Sequence, residues 1–491
     1  MKDEYRHTLK ATFIMSFAQI TGALSSIIRA KIIAIIMGPI GIGLNSIFQI
    51  TINTAAQINS LGINQSGVRD ISYAHNTDIK KYQQTINAFY TLICYTAFAG
   101  LILFALVAPL LNYSSFGSSK TYLPSFYILA FGLFFFTLSN GNITLLQGSQ
   151  KLLPLAKSSI TGYLSSLLIG IPLYIFAKEK GIVIAIVIGY ALTYLANSYF
   201  VRKSGIKPHM IKLNQAILLS KPILKLGVII MISSFIINGY SYLTNVLIRL
   251  WGGLEDVGLY QSAFALTSQN MAIISAALVA DYYPRLSVVR DNRTQFNTTV
   301  SQQGEILLIA ITFISILLII FAPIVIKILL SESFMTITPL VRAMSFAFIF
   351  RSTWSVLAYI ALAKGDRKVY LWYDAVLGNG GYFIINMGAY YYGGLEALGF
   401  SCIIGSAFVA LLLLIVYSRK YHFAFSNSYY KLFFICFLLI SLFGALTFIK
   451  SSVIFIITSI VLCIPTSIFL FKALNNRVNL KEYIIQKRKH L

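Results

Sequence analysis

The chain has 491 residues, 57% hydrophobic, 14% aromatic and only 11% charged, with a mean hydropathy of +0.77. A soluble chain carries about 25% charged residues, so a soluble globular class is excluded. The balance of 39 Lys+Arg against 15 Asp+Glu, formally +24, therefore reports membrane topology rather than binding to nucleic acid.

Apolar runs of about 20 residues, each long enough to cross a bilayer as a helix, recur from end to end. They predict helices near 10–36, 42–66, 85–111, 122–147, 153–177, 181–201, 219–250, 257–283, 301–330, 335–362, 369–392, 395–418, 430–449 and 452–472. The period-2 pattern of an outer-membrane barrel is missing, and in lipid the backbone must satisfy itself within helices. The expected class is thus an all-α polytopic membrane protein with about fourteen crossings. Sorted by loop from an inside N-terminus, Lys2, Arg6, Lys80, Lys81, Lys151, Arg202, Lys203, Lys207, Arg290, Arg293, Arg367, Lys368, Arg419, Lys420 and the tail "KEYIIQKRKHL" fall inside. Only Lys120, Lys178, Lys180 and Lys450 fall outside. This is the positive-inside pattern, and it places both termini in the cytoplasm. The start "MKDEYRHTLK" carries two acids and does not read as a cleaved signal. Cys94, Cys402, Cys436 and Cys463 lie in apolar runs and read as packing residues.

An internal repeat is visible. "GPIGIGLN" (38–45) answers to "GGLEDVGLY" (252–260), and Ala108-Pro109 to Ala322-Pro323. Gly148 answers to Gly365, and Gly181 to Gly394. The offsets are 214, 214, 217 and 213, in the same order along the chain. Each unit holds six predicted helices, so the repeat is parallel. The expectation is two six-helix lobes, 1–208 and 209–425, around a central cavity. Two extra helices and a basic tail follow at 426–491.

The second predicted helix carries Asn45, Gln49, Asn53, Gln57, Ser60 and Asn64 on one face. The seventh carries Ser234, Asn238, Ser241, Asn245 and Arg249, and the first carries Thr12, Gln19, Gly22, Ser26 and Arg29. Polar glue between helices explains one or two such residues; three long stripes fit the walls of a watery cavity better. On the eighth helix the repeat aligns Tyr260, Phe264 and Ser268 with Asn45, Gln49 and Asn53. One amide wall and one aromatic wall suit a large polar solute with apolar faces, although helix packing explains Phe264 equally well.

Charges within a span are costly and usually functional. Arg29, Lys31, Arg249, Lys327, Arg342 and Arg351 fall inside predicted helices. Lys327 is close enough to an end to snorkel, the bland alternative for every one of them. Arg342 and Arg351 lie on opposite faces of one helix, as do Arg29 and Lys31 unless that helix bends. The first six predicted helices have no carboxylate in their cores; Asp281, Glu305 and Asp374 sit near inner helix ends in the second half. A cationic cavity without deep carboxylates attracts an anion. No Walker A motif and no His/Cys/Asp cluster of metal-ligand spacing occurs, and the outer loops are short. Nothing therefore points to an ATPase, a metalloenzyme, or a membrane polymerase or ligase, and no cofactor is expected.

"KIIAIIMGPIGIGL", "RLWGGLEDVGLY" and "YYPRLS" resemble oligosaccharide flippases of the multidrug/oligosaccharidyl-lipid/polysaccharide (MOP) exporter superfamily, nearest the Wzx O-antigen type. The resemblance spans about residues 10–420. It implies two lobes in a V, alternating access, and a substrate of undecaprenyl pyrophosphate carrying an oligosaccharide. That substrate would move from the cytoplasmic to the periplasmic leaflet of a bacterial inner membrane. It also implies partnership with polysaccharide polymerase and chain-length machinery, and coupling to the membrane potential or an ion. The last two helices are similar to those of the lipid II flippase branch. On this resemblance Arg29, Lys31, Arg249 and Arg351 are the candidates for pyrophosphate. Asn45, Gln49, Asn53, Gln57, Asn238, Asn245 and Tyr260 are those for sugar. Another lipid-linked glycan (common antigen, capsule, lipid II) is the nearest alternative substrate. A multidrug/cation antiporter of the same fold should show first-lobe carboxylates, which have no match here.

Overall fold

The computed structural model describes residues 2–75, 78–269, 282, 285–449 and 452–478, with most of the side chains from Phe17 onward. The tail "KEYIIQKRKHL", Asp281 and the side chain of Thr12 lie outside what is described. Described residues are helical almost throughout. The long elements are α1 (Lys2–Asn59), α3 (Ile79–Phe116), α4 (Leu123–Gly148), α5 (Leu152–Lys203) and α7 (Lys221–Phe264), with the short α2 (Ile63–His75) and α6 (Leu213–Leu219) between them. There follow α8 (Arg293–Leu329), α9 (Thr338–Ala363), α10 (Asn379–Tyr421), α11 (Asn427–Leu446) and α12 (Ser452–Val478). A π-helical stretch, Tyr370–Gly378, leads into α10. Among the described residues eight helices are long and apolar enough to span a membrane, so the chain is a multi-pass membrane protein.

Several of these helices are two crossings joined at a break. The 58 residues of α1 would reach about 87 Å as one rod, against a hydrocarbon core of about 30 Å. The chain breaks at Gly38 (φ 61°, ψ −156°) in α1 and at Gly253 (φ 90°, ψ −176°) in α7. It breaks again at Lys178 (φ 47°, ψ −126°) in α5 and at Gly394 (φ 62°, ψ −153°) in α10. Divided there, the described helices supply roughly the number of crossings that the apolar runs predict. The breaks at Gly38 and Gly253 are 215 residues apart, and those at Lys178 and Gly394 are 216 apart. Pro109 in α3 and Pro323 in α8 are 214 apart.

The two repeated turns touch each other. A Cβ built on Gly43 would lie 2.2 Å from the Leu254 carbonyl oxygen, and one on Gly258 would lie 1.8 Å from that of Pro39. Both pairs, 39/254 and 43/258, are 215 residues apart, so the contact is reciprocal. Only glycine lets two helix backbones come this close.

One predicted boundary is wrong. The second crossing ends at Asn59, not 66, because Leu61 (φ 47°) and Gly62 (φ 64°) turn the chain. Gly62 lies against Gly227, whose carbonyl oxygen would be 2.0 Å from an added Cβ. Asn64 therefore falls in the first turn of α2, a helix of 13 residues that spans only about 20 Å, and does not continue the amide stripe.

The chain divides into two compact units, 1–258 with 329–331, and 259–328 with 332–491. The first has a core of Ile63, Ile71, Phe89, Leu92, Leu145, Leu146, Leu155 and Val201 from α2, α3, α4 and α5. In the second, Leu308, Ile316 and Ile320 of α8 and Ile349 of α9 pack with Cys436, Ile440 and Phe443 of α11 and Leu470 of α12. The last two helices are thus built into that unit. At the α9 exit, Asp366 pairs with Lys420 (2.7 Å) and accepts from the Tyr421 hydroxyl (3.0 Å) and the Val369 amide (3.1 Å). The Lys420 ammonium first, then the Val369 and Tyr421 donors, holds its carboxyl below the usual carboxylate range.

Candidate functional site

Within the first unit, a cavity of about 200 Å³ is lined by Arg29 of α1, by Gln49 from the second half of α1, and by polar residues of α4 and α5. Arg29 Nη2 donates to Ser166 Oγ at 3.1 Å. Its Nε is buried and has no acceptor among the described residues. The Tyr190 hydroxyl donates to Gln49 Oε1 at 2.8 Å, and Asn197 Nδ2 donates to Ser139 Oγ at 2.8 Å. Among the described residues no carboxylate lines the cavity. A half-buried guanidinium with one buried, unfilled donor, ringed by hydroxyls and amides, presents the kind of donors that oxyanions accept from. Its size is below the ~300 Å³ of ordinary ligand pockets, so it accommodates a phosphate-sized group and not a chain of sugars.

The other basic residues go elsewhere. Lys31 donates to the Leu330 carbonyl, on a different side of the helix from Arg29. No residue of α1 other than Gly38 departs from helical geometry, so no bend turns both inward as was allowed for above. Arg249 is half-buried, its guanidinium 5.6 Å from the centre of the Phe116 ring. Arg29 is thus the only one of these three that lines the cavity, and their expected convergence on one group is not observed. Lys327 pairs with Glu332 at 2.6 Å, with both side chains exposed.

The second unit has its own cationic site. Arg351 Nη1 donates to Ser268 Oγ at 2.6 Å, and the guanidinium lies 6.0 Å and 5.8 Å from the ring centres of Trp354 and Tyr382. The rings of Tyr260 and Phe264 lie 6.2 Å apart. Trp354 in turn donates its indole N–H to the buried Asp374 at 2.9 Å. Arg342 faces away, bonding the Ile319 carbonyl (3.1 Å) and lying over Phe455. This agrees with the half-turn separation predicted from their spacing.

Of the amide residues, Gln49 lines the Arg29 cavity. Asn45 Oδ1 is buried without a hydrogen-bond partner among the described residues; Asn53 is exposed and Gln57 half-buried. Asn238 and the buried Asn245 each donate to a carbonyl four residues back, of Ser234 and Ser241, both at 2.8 Å. The sequence reading missed Ser159, Tyr163 and Ser166, and Tyr190, Thr193 and Asn197, all of which line the cavity. Their spacings of 4 and 3, and of 3 and 4, are the same periodic signal that singled out the first, second and seventh helices.

A second cavity in the first unit, of about 610 Å³, lies between the latter half of α1, α3 and α7. Its walls are almost wholly apolar: Ile58, Leu103, Phe104, Val107, Phe235 and Leu243 among others.

The fold has known counterparts. The lipid II flippase MurJ in an inward closed conformation superposes with a TM-score of 0.71 at 13% identity, covering 95% of this chain and 99% of that one. An inward-facing multidrug resistance MATE transporter of the MOP superfamily gives 0.66 at 13% identity, covering 81% and 94%. A MOP superfamily transporter from Pyrococcus furiosus gives 0.58 at 13%, covering 84% and 95%. No curated protein matches the sequence. At these identities the structural likenesses establish the fold. The sequence itself matches a family described as polysaccharide biosynthesis protein over residues 32–339, more than half the chain, a span that includes every cavity residue except Arg29, and the chain belongs to that family.

Proposed function

We propose that this chain is a flippase for a lipid-linked oligosaccharide, an undecaprenyl-pyrophosphate-linked unit of the O-antigen type. It carries the unit from the cytoplasmic to the periplasmic leaflet of a bacterial inner membrane, with both termini cytoplasmic. The observation that carries this reading is the buried, partnerless Nε of Arg29 in a cavity without a carboxylate. That arrangement takes a phosphate of the pyrophosphate, with Gln49, Asn140 (which also lines the cavity) and the surrounding hydroxyls bonding its oxygens, and the sugars stay outside this cavity. The apolar cavity between α1, α3 and α7 gives the polyprenyl chain of the same substrate an apolar bed. Lobes 1–208 and 209–425 rock in alternating access, and Arg351 with its aromatic neighbours serves as a second anion station on the path.

Membership in a polysaccharide biosynthesis family and the MOP-type fold both support this reading. A cationic drug would meet an uncompensated guanidinium, which disfavours the antiporter alternative. One charge-assisted hydrogen bond contributes about 1.5–3 kcal/mol, roughly 10- to 150-fold in affinity. In a deletion strain complemented with Arg29→Ala, surface glycan should fall by that order at normal membrane abundance, and Arg29→Lys should restore part of it. Full export by Arg29→Ala, with the protein present at wild-type level, would remove Arg29 from the mechanism.

A further inference from the structure

At one end of the second unit, the first turn of α11 and the last turns of α12 enclose a cavity of about 500 Å³. Its rim carries Ser428 and Lys431 from α11, and Lys472, Asn476 and Arg477 from α12. Its floor is Leu432, Ile435, Phe469 and Ala473. Arg477 is already committed. Its Nε pairs with Glu305 at 2.5 Å, Nη1 donates to the Ala473 carbonyl at 3.0 Å, and Nη2 donates to Ser428 Oγ at 3.3 Å. Glu305 also accepts from Ser426 Oγ at 3.4 Å. That ion pair ties α12 to α8 and cancels one charge, while the bond to Ser428 ties α12 to α11. Lys431 and Lys472 are exposed and have no ion-pair partner among the described residues, so the rim keeps two positive charges.

The depth of this cavity fixes what can enter it. The 20 residues of α11 measure about 30 Å, the thickness of the hydrocarbon core. Its first turn therefore lies at the polar boundary, and so does the end of α12 beside it. Below the floor, the exposed side chains are apolar: Leu438 and Leu442 on α11, Val461 and Ile464 on α12. A cationic polar rim over an apolar floor that continues down into the bilayer matches one molecule class: an amphiphile with an anionic head and hydrocarbon chains. A free polar anion would leave the floor wet, and a neutral lipid would leave the lysines unpaired.

We propose that this cavity is a specific site for an anionic phospholipid of the bilayer. Its phosphodiester sits between Lys431 and Lys472, Ser428 and Asn476 bond the head-group oxygens, and one acyl chain lies on Leu432, Ile435 and Phe469. The site is separate from the Arg29 cavity and stands whatever the transported substrate is.

The test uses the purified full chain in phosphatidylcholine nanodiscs with an increasing mole fraction of phosphatidylglycerol. Retained lipid is read by native mass spectrometry, and stability by thermal melting. Phosphatidylglycerol should be retained and should raise Tm. Each lysine near an anionic surface is worth about fivefold, so Lys431→Gln with Lys472→Gln should weaken retention about 30-fold. Lys431→Arg with Lys472→Arg should keep it. Equal retention by wild type and the Gln pair would mean diffuse attraction only and would overturn the site. Retention of phosphatidylcholine as strong as that of phosphatidylglycerol would do the same. If a polyprenyl phosphate were held there while phosphatidylglycerol was not, the cavity would belong to the transport path and not to a bilayer lipid.

Discussion

Replacing Gly258 by alanine sets two known effects against each other. In an ordinary helix the change is favourable by about 1 kcal/mol. At Gly258 the new methyl would lie 1.8 Å from the Pro39 carbonyl oxygen, 2.6 Å from its carbon and 3.0 Å from the Gly43 nitrogen. A carbon and an oxygen need about 3.3 Å, so the two helices would have to separate by roughly 1.5 Å. The obstacle is backbone and no side chain can swing aside. Overpacking of this kind costs about 1–3 kcal/mol, or more when the main chain must move. The net expectation is destabilisation of up to about 2 kcal/mol. Gly388, a helical glycine of α10 with nothing within 4 Å of an added Cβ, is the matched control, and Gly388→Ala should stabilise by up to about 1 kcal/mol. The assay is thermal melting of the detergent-solubilised chain, comparing the two variants with wild type. Gly43→Ala should resemble Gly258→Ala. The double variant should cost less than the sum, because one separation of the helices relieves both clashes. If Gly258→Ala melted with or above Gly388→Ala, the close approach of the two turns would be refuted.

Four other outcomes follow from the same structure. Lys178 holds a non-glycine residue at φ 47°, ψ −126°, where the corresponding break in α10 has Gly394; Lys178→Gly should release strain of about 1–3 kcal/mol and raise Tm, and a lower Tm would argue against a strained break. Because the Asp366 carboxyl is held below its ordinary value of 3.8, its contribution to stability is complete above that pH. It is lost as pH falls through the lowered value, so acid titration of stability in Asp366→Asn should lack this component, and identical acid limbs would rule the pairing out. Reporter fusions at Lys80, Lys207 and Arg290 should read as cytoplasmic and those at Ser115 and Glu179 as periplasmic; the reverse at any one of them would break the helix count. Cysteine at Gln49 should be protected from a water-soluble thiol reagent by pyrophosphate, with Ile52, fully buried, unlabelled either way; labelling at Gln49 that pyrophosphate leaves unchanged would separate the cavity from anion binding.

The all-helical architecture was legible because crossing length is set by the bilayer, which composition reflects directly. The breaks at Gly38 and Gly253 were legible because glycine at a polar interruption has few other uses. The end of the second crossing was not, since "SLGIN" differs little from a helical run until Gly62 meets Gly227. The site was legible only in part. Arg29 and Gln49 line one cavity, but it lies within the first unit, whereas their stripes were read as walls of a cavity between the lobes. Asn238 and Asn245 have the same period yet bond their own helix, because an amide side chain four residues on from a carbonyl can close that bond itself. Periodicity assigns a face; it does not say whether the face looks at a cavity, at a neighbour or back at its own backbone. Tyr190 and Ser166 were missed because they lie among aromatic and small residues that read equally well as packing.

The reciprocal contact of Gly43 and Gly258 has a mechanical consequence. Most helix pairs interlock through side chains, and turning one against the other requires each knob to leave its hole. Here the surfaces that meet are bare peptide groups, Pro39 against Gly258 and Leu254 against Gly43. Such a joint resists separation, because the backbones are in van der Waals contact over a short length. It resists rotation less than interlocked side chains do, because the groups in closest contact are peptide groups. The repeated turns therefore work as a bearing, and the glycines that make the turns tight also keep that bearing smooth.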